Sequence, residues 1–516
     1  MLLWFVIGYW VISVAIGLWA SLRVKNTSDF AVAGRHLPFY MVTATVFATW
    51  FGSETVLGIP ATFLKGNLHG VVSDPFGSSL CLILVGLLFA RPLYRMRLLT
   101  IGDFYKRRYG RGVEILTTVA IVLSYLGWVG AQITALGLVF NIVSAGAITQ
   151  TTGMWIGSAT ILVYTYFGGM WAVAITDFIQ MIIIVIGMLW IGHEVTGQIG
   201  GVSTVVQHAY DAGKFQFWPD GNFAAVVAFI AAWCTMMFGS MPQQDVFQRV
   251  QSAKTESIAV WASVLGGSLY FLFAFVPMFL AYSATIIDPD MVSGLIDSDP
   301  QKILPTLVLE KTPLFAQIMF FGALLSAIKS CASATLLAPS VTFSENILKP
   351  MFPHMGDKQL LRNMRVVTLC FTVLVTLYAM HSDASIFEMV ENAYQVTLVG
   401  AFIPLLAGVY WPRATNQGAL FAIFAGIAVW VLLLLSADMD PQVMAGLPLP
   451  IGDLLQVMQP LQVFTPQGSG LMASVIGMIV GSLMPQMFKH DPHVHQRLRG
   501  GNMANDTQPS PLVQHH

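Results

Sequence analysis

The apolar residues of this 516-residue chain fall in runs of about 20 or more, separated by short segments that hold most of the charge. A helix of about 20 residues is about 30 Å long, the thickness of a bilayer's hydrocarbon core. Thirteen such runs are predicted as spans: 1-22, 39-64, 75-96, 113-145, 151-169, 175-198, 222-244, 256-284, 313-345, 360-381, 384-411, 415-437 and 468-487. With 56% hydrophobic and only 10% charged residues, the chain lacks the polar surface that a soluble domain needs. It reads as an all-α polytopic membrane protein.

Basic residues near membrane ends stay cytoplasmic, so their distribution predicts the orientation. With the N-terminus outside, 20 of the 25 Lys and Arg fall on inner loops and the tail, Arg249 and Lys489 among them. Lys65, Lys214, Lys302 and Lys311 fall outside, and Lys329 lies within a span. The first span lacks a basic leading region and is expected to be retained rather than cleaved. The expected location is the inner (plasma) membrane, with a cytoplasmic C-terminus. A formal charge of −1 argues against a nucleic-acid partner, and four scattered cysteines predict neither a disulfide framework nor a zinc site. HExxH, Walker A, nucleotide-binding GxGxxG and GxSxG patterns are all lacking, so no enzyme and no cofactor are expected. The basic, aromatic stretch Thr100 to Gly112 reads either as a helix along the inner headgroups or as a simple positive loop. The outer loop 285-312 reads as a lid or a solvated connection.

Polar or helix-breaking residues at mid-membrane are costly and mark function. The second span carries Gly52, Ser53 and Glu54 near its centre and Gly58 and Pro60 beyond, a pattern that unwinds a helix and frees backbone groups for a ligand. In the ninth span Ser326, Lys329, Ser330 and Ser333 share one helix face. An unpaired ammonium there costs roughly 2.5–3.5 kcal/mol, so Lys329 needs a partner, and Asp177 at the head of the sixth span is the expected one. Asp74 opens the third span, either capping it or facing a cavity. In the seventh span Trp233, Met237 and Phe238 form an aromatic and sulfur stripe.

Several of these stretches occur together in one known family. SDFAVAGR, GSETVLGIPA, TIGDFYKRRYG, YFGGMWAVAITDFIQ, QRVQSAK and GAFIPLLAGVYWP make the chain resemble the sodium:solute symporter family, over roughly residues 1 to 487. The resemblance implies a leucine-transporter-like 5+5 inverted repeat. It implies a first helix and inner loop (1-38), five-helix halves at 39-198 and 222-411, two added spans (412-487) and a polar cytoplasmic tail (488-516) that reads as disordered. It implies a sodium ion held by backbone carbonyls of Ala48, Phe51 and Ala327 with Ser330 and Cys331, and, in some relatives, a second ion near Asp177, Ser330 and Ser333. Departures are Cys331, a sulfur where relatives place a hydroxyl, Lys329 where they usually have Met, and Trp50 where proline carriers have an Asp.

The expected function is sodium-coupled symport of a small polar organic solute by alternating access. Ser53, Glu54, Asp74, Trp233 and Phe238 are expected to face the solute, and the two carboxylates suit an amine such as an amino acid. Asp177 with Lys329 is expected to form an inner gate or ion-substituting pair. The alternatives are a proton-coupled or ion-independent carrier in which Lys329 replaces the sodium, and a membrane solute sensor acting through a partner.

Overall fold

In a bilayer each backbone N–H and C=O must be paired inside the protein, and a helix does this segment by segment. The computed structural model describes residues 1–437 and 459–487, and these are nearly all helical, with one isolated bridge between Leu37 and Ala253. Among the described residues nine helices are long and apolar enough to cross a membrane, ten when the bent pair Phe223–Gly239 and Gln244–Ser252 counts as one. The tail from Lys489 and most of the loop before the last span lie outside the described residues.

The fifth and sixth runs are two helices that meet with almost no loop between them, as the short connection predicts. Within the helical stretch Gln150–Gln198 the break comes at Gly169, whose φ of 48° and ψ of −146° are not helical. At 1.5 Å per residue its 49 residues would reach about 73 Å if straight, well over one bilayer core. The second run is broken as expected: Phe39–Trp50 ends at Phe51, and the helix resumes as a wide turn, Glu54–Gly58, and Ile59–Lys65. The third begins earlier than expected, at Leu68. Asp74 breaks its first turns with extended backbone (φ −143°, ψ 123°), and its Oδ1 accepts from Tyr270.

The seventh run differs most. Its helix stops at Gly239, passes through Ser240–Gln243 and resumes as Gln244–Ser252 at 46°. All nine residues of that second half are buried, Arg249 included. Arg249 is therefore a core residue and not the loop charge that the basic-residue count assigns to it.

The first and twelfth spans leave most of their surface facing outward, while the fourth, ninth and eleventh are mostly buried. The Thr100 stretch is a helix, Ile101–Tyr109, started by a reciprocal Thr100–Asp103 cap. Its aromatic side enters protein rather than headgroups: Tyr105 donates to Ala401 O (2.9 Å) and Tyr109 to Pro404 O (2.8 Å). Arg108 donates to Gly408, Ala414 and Trp411 carbonyls at the end of the eleventh span. The 285-312 loop is structured, with helices Pro289–Leu295 and Ile303–Lys311. Lys311 lies 2.6 Å from Asp288 and holds that carboxyl below the usual carboxylate range.

The bend at Gly169 is needed for the close pass of Phe30, whose carbonyl oxygen would lie 2.5 Å from any Cβ at that position. Gly169→Ala is expected to destabilise the protein by about 1–3 kcal/mol from backbone strain alone, read as a lower melting temperature in detergent.

Candidate ion and solute site

The break in the second span organises the site. Phe51 leaves the helix with ψ 73°, and the Ser53 N–H donates to Gln132 Oε1 (2.9 Å) in the fourth span. The same amide donates from Nε2 to Glu54 Oε2 at 2.7 Å, and Trp128, one turn earlier, donates to Glu54 Oε1 at 3.2 Å. Glu54 is only 2% exposed, so these two bonds supply what water would otherwise supply. Cys331 of the ninth span lies on the other side, its Sγ 4.0 Å from Glu54 Oε1. Gly52 permits this approach, since a Cβ there would sit 2.8 Å from Cys331 Sγ.

Aromatic rings pack against one another beside the carboxylate. Trp50 lies 5.4 Å from Trp128 and 5.9 Å from Tyr394, parallel to the latter within 2°, with Tyr270 edge-on at 6.5 Å. Tyr270 donates to Asp74 Oδ1 (2.5 Å) and pairs with Thr55 (3.2 Å), which ties the second carboxylate to the same cluster. Ser53 Oγ is buried beside the Glu54 carboxylate.

A second cluster lies where the second, sixth, seventh and ninth spans meet. Thr45 and Ser330 (2.5 Å) both donate to Asp177. Arg249 donates to Thr49 (2.7 Å) and to the Asp245 carbonyl (2.9 Å), and its charge acts on both Asp177 and Asp245. Asp245 accepts from Tyr125 at 2.5 Å. One carboxylate with two hydroxyls is a hard oxygen donor set, the kind that an alkali cation prefers over sulfur. Ser333 donates to Ser330 O in its own helix.

Asp177 does not pair with Lys329. Consecutive helical residues point about 100° apart, so once Ser330 faces Asp177 its neighbour must face elsewhere. Lys329 turns to the first span, where its Nζ lies 5.3 Å from the Trp10 ring centroid, 5.4 Å from Tyr164 and 5.9 Å from Tyr9. Its ammonium makes no hydrogen bond. Ring faces attract a desolvated cation by about 2 kcal/mol or more, which offsets part of its burial.

Ala48, Phe51, Ala327, Ser330 and Cys331 are all buried where the second and ninth spans pack together. Trp233 and Phe238 lie outside the Trp50 cluster. Trp233 packs with Phe217 and Phe229, and Phe238 stacks on Phe402 at 4.7 Å. The sequence reading missed Trp128, Gln132, Tyr270, Tyr394, Asp245 and Arg249. Only the last two carried a local signal, an acid and a base spaced i, i+4 just after Pro242.

Comparison with known proteins decides the family. The model described as "Sodium:solute symporter family" matches residues 30–426. The chain belongs to the sodium:solute symporter family. It is similar to a high-affinity choline transporter of Caenorhabditis elegans, 26% identical over 452 residues that cover 83% of this chain and 76% of that one. Among solved structures, a Na+-coupled sialic acid symporter in a substrate-bound outward-open state superposes with TM-score 0.73, at 19% identity, over 95% of this chain and 99% of that one. MhsT in complex with L-phenylalanine gives TM-score 0.52, at 15% identity, over 86% and 98%. The fold is leucine-transporter-like. As a family member the chain is a multi-pass membrane transporter rather than an enzyme, with sodium as its coupling ion.

Within this symporter Arg249 is the charge that balances two buried acids. Arg249→Leu leaves Asp177 and Asp245 without it and is expected to cost about 3–5 kcal/mol, seen as a large drop in melting temperature. Little change would show that the guanidinium is not needed there.

Proposed function

We propose that this symporter couples sodium to the import of a small amine-bearing solute, a quaternary ammonium such as choline being the best match. The observation that carries the reading is the cluster of Trp50, Trp128, Tyr270 and Tyr394 beside the Glu54 carboxylate, to which Trp128 donates, with Asp74 attached through Tyr270. Aromatic faces and a carboxylate together recognise a cation that has no N–H to donate, because such a cation binds by charge and ring contact alone. A neutral sugar would ask instead for several hydrogen-bonding groups. The choline transporter among the similar proteins supports the same class.

In this reading Glu54 and Asp74 hold the positive end of the solute, and Ser53 Oγ supplies a hydrogen bond to its polar end. Sodium is held by Asp177, Thr45 and Ser330, whose oxygens already converge. The carbonyls of Ala48, Phe51 and Ala327 offer a neighbouring cation position, where Cys331 is the weak member. Trp233 and Phe238 line the approach to the solute rather than its seat. Inversion relates 39-198 to 222-411, and the two broken helices, second and seventh, each open one half. The N-terminus faces outward and the C-terminus the cytoplasm, so one inward monovalent charge gains about 2.3 kcal/mol per 100 mV of membrane potential.

The test is choline binding to purified protein in sodium buffer, followed by tryptophan fluorescence. Trp50→Leu is expected to weaken binding roughly 2- to 30-fold, the value of one or two cation–ring contacts. Glu54→Gln, which keeps shape and loses charge, is expected to weaken choline more than any neutral solute. The amine reading fails if both variants bind choline as the wild type does, or if only neutral solutes bind.

A further inference from the structure

Eight charged side chains are buried among the described residues. Arg108 and Glu114 are opposite in sign and belong to the Ile101–Tyr109 helix and the start of the fourth span. That leaves Glu54, Asp74, Asp177 and Asp245 against Arg249 and Lys329, two more acids than bases. Arg249 is engaged with Thr49 and Asp245. Lys329 is different: it is fully buried, with no hydrogen-bond partner and no carboxylate within ion-pair distance.

We propose that Lys329 is a tethered cation that takes the charge position of a second sodium ion and so holds the protein to one bound sodium. The geometry places it for that role. It immediately precedes Ser330, which donates to Asp177, and stands two residues before Cys331, which faces Glu54. Tyr164 fixes it twice, donating to the Lys329 carbonyl at 3.0 Å and presenting its ring to the ammonium. Tyr9 is anchored by Ser326 one turn earlier, and Trp10 is stacked on Phe140 at 4.6 Å. Rings hold the ammonium without neutralising it, one and two residues before the side chains that face the two candidate ion positions. The two acids left in excess then match one sodium and one monocationic solute. Lys329 touches neither and is a positioning residue acting through charge.

The proposal rests on sodium being the coupling ion, and the test separates the two. Binding of radioactive sodium to purified protein, without solute, is counted per chain for wild type, Lys329→Met, Lys329→Gln, Lys329→Arg and Trp10→Leu. The expected result is one ion in the wild type, two in the Met and Gln variants, and one in the Arg variant. Trp10→Leu, which opens the cage and keeps the charge, is expected to hold one. Melting temperature in potassium, where no site should fill, reports folding of each variant independently. If the wild type binds one ion and neither neutral variant gains a second, the tethered-cation role is wrong while sodium coupling stands. A wild type that already binds two overturns the role as well. If the wild type binds none and the neutral variants bind one, Lys329 has replaced the sole sodium, which overturns both the one-ion role and sodium coupling. No binding in any of them overturns both.

Discussion

The structure depends on a helix that is interrupted where the membrane allows interruption least. Between Phe51 and Ser53 the second span gives up its regular ladder, and the exposed Ser53 N–H is taken by Gln132 of the fourth span. One amide side chain therefore closes the backbone gap and, with its other end, orients Glu54. In hydrocarbon an unsatisfied polar group costs several kcal/mol, so the break survives only with this support. Gly52 makes the same break possible by letting the ninth span bring Cys331 against it. The aromatic cluster at Trp50 and the hydroxyl cluster at Asp177 both lie next to that point.

The two clusters differ in chemistry because different faces of the same helices supply them. Trp50 faces rings, while Thr45 and Thr49, earlier on the same helix, face Asp177 and Arg249. On the ninth span Cys331 looks toward Glu54, Ser330 toward Asp177 and Lys329 toward the first span. A rotation of about 100° per residue accounts for this division. On the proposed function, a hard cation and an organic cation would be held by adjacent residues without competing for the same donors.

Most of the fold was legible in the sequence, because apolar runs of membrane length and the GSETVLGIPA interruption are local signals. The parting of the fifth and sixth spans at the YFGGM stretch was legible too, and the structure puts it at Gly169 with no free loop. Arg249 was misplaced because a count of basic residues treats any charge after an apolar run as loop, and here the helix resumes beyond Gln243. The Glu54 and Asp177 positions could be read from their helices, but their partners could not. Gln132, Trp128, Tyr270 and Tyr394 lie on regular spans with nothing to mark them, and only packing brings them to the break. Lys329 needed a partner, as expected, yet found rings rather than an acid, a choice that depends on which neighbour its face meets.

Sodium-driven accumulation of a quaternary amine is the central claim, and uptake into proteoliposomes tests it most directly. Labelled choline is offered outside vesicles holding potassium, with either sodium or potassium in the external buffer. Transient accumulation above equilibrium under the inward sodium gradient, abolished in equal potassium, is the result predicted here. Uptake that is the same in both buffers, or absent in both, would contradict the account.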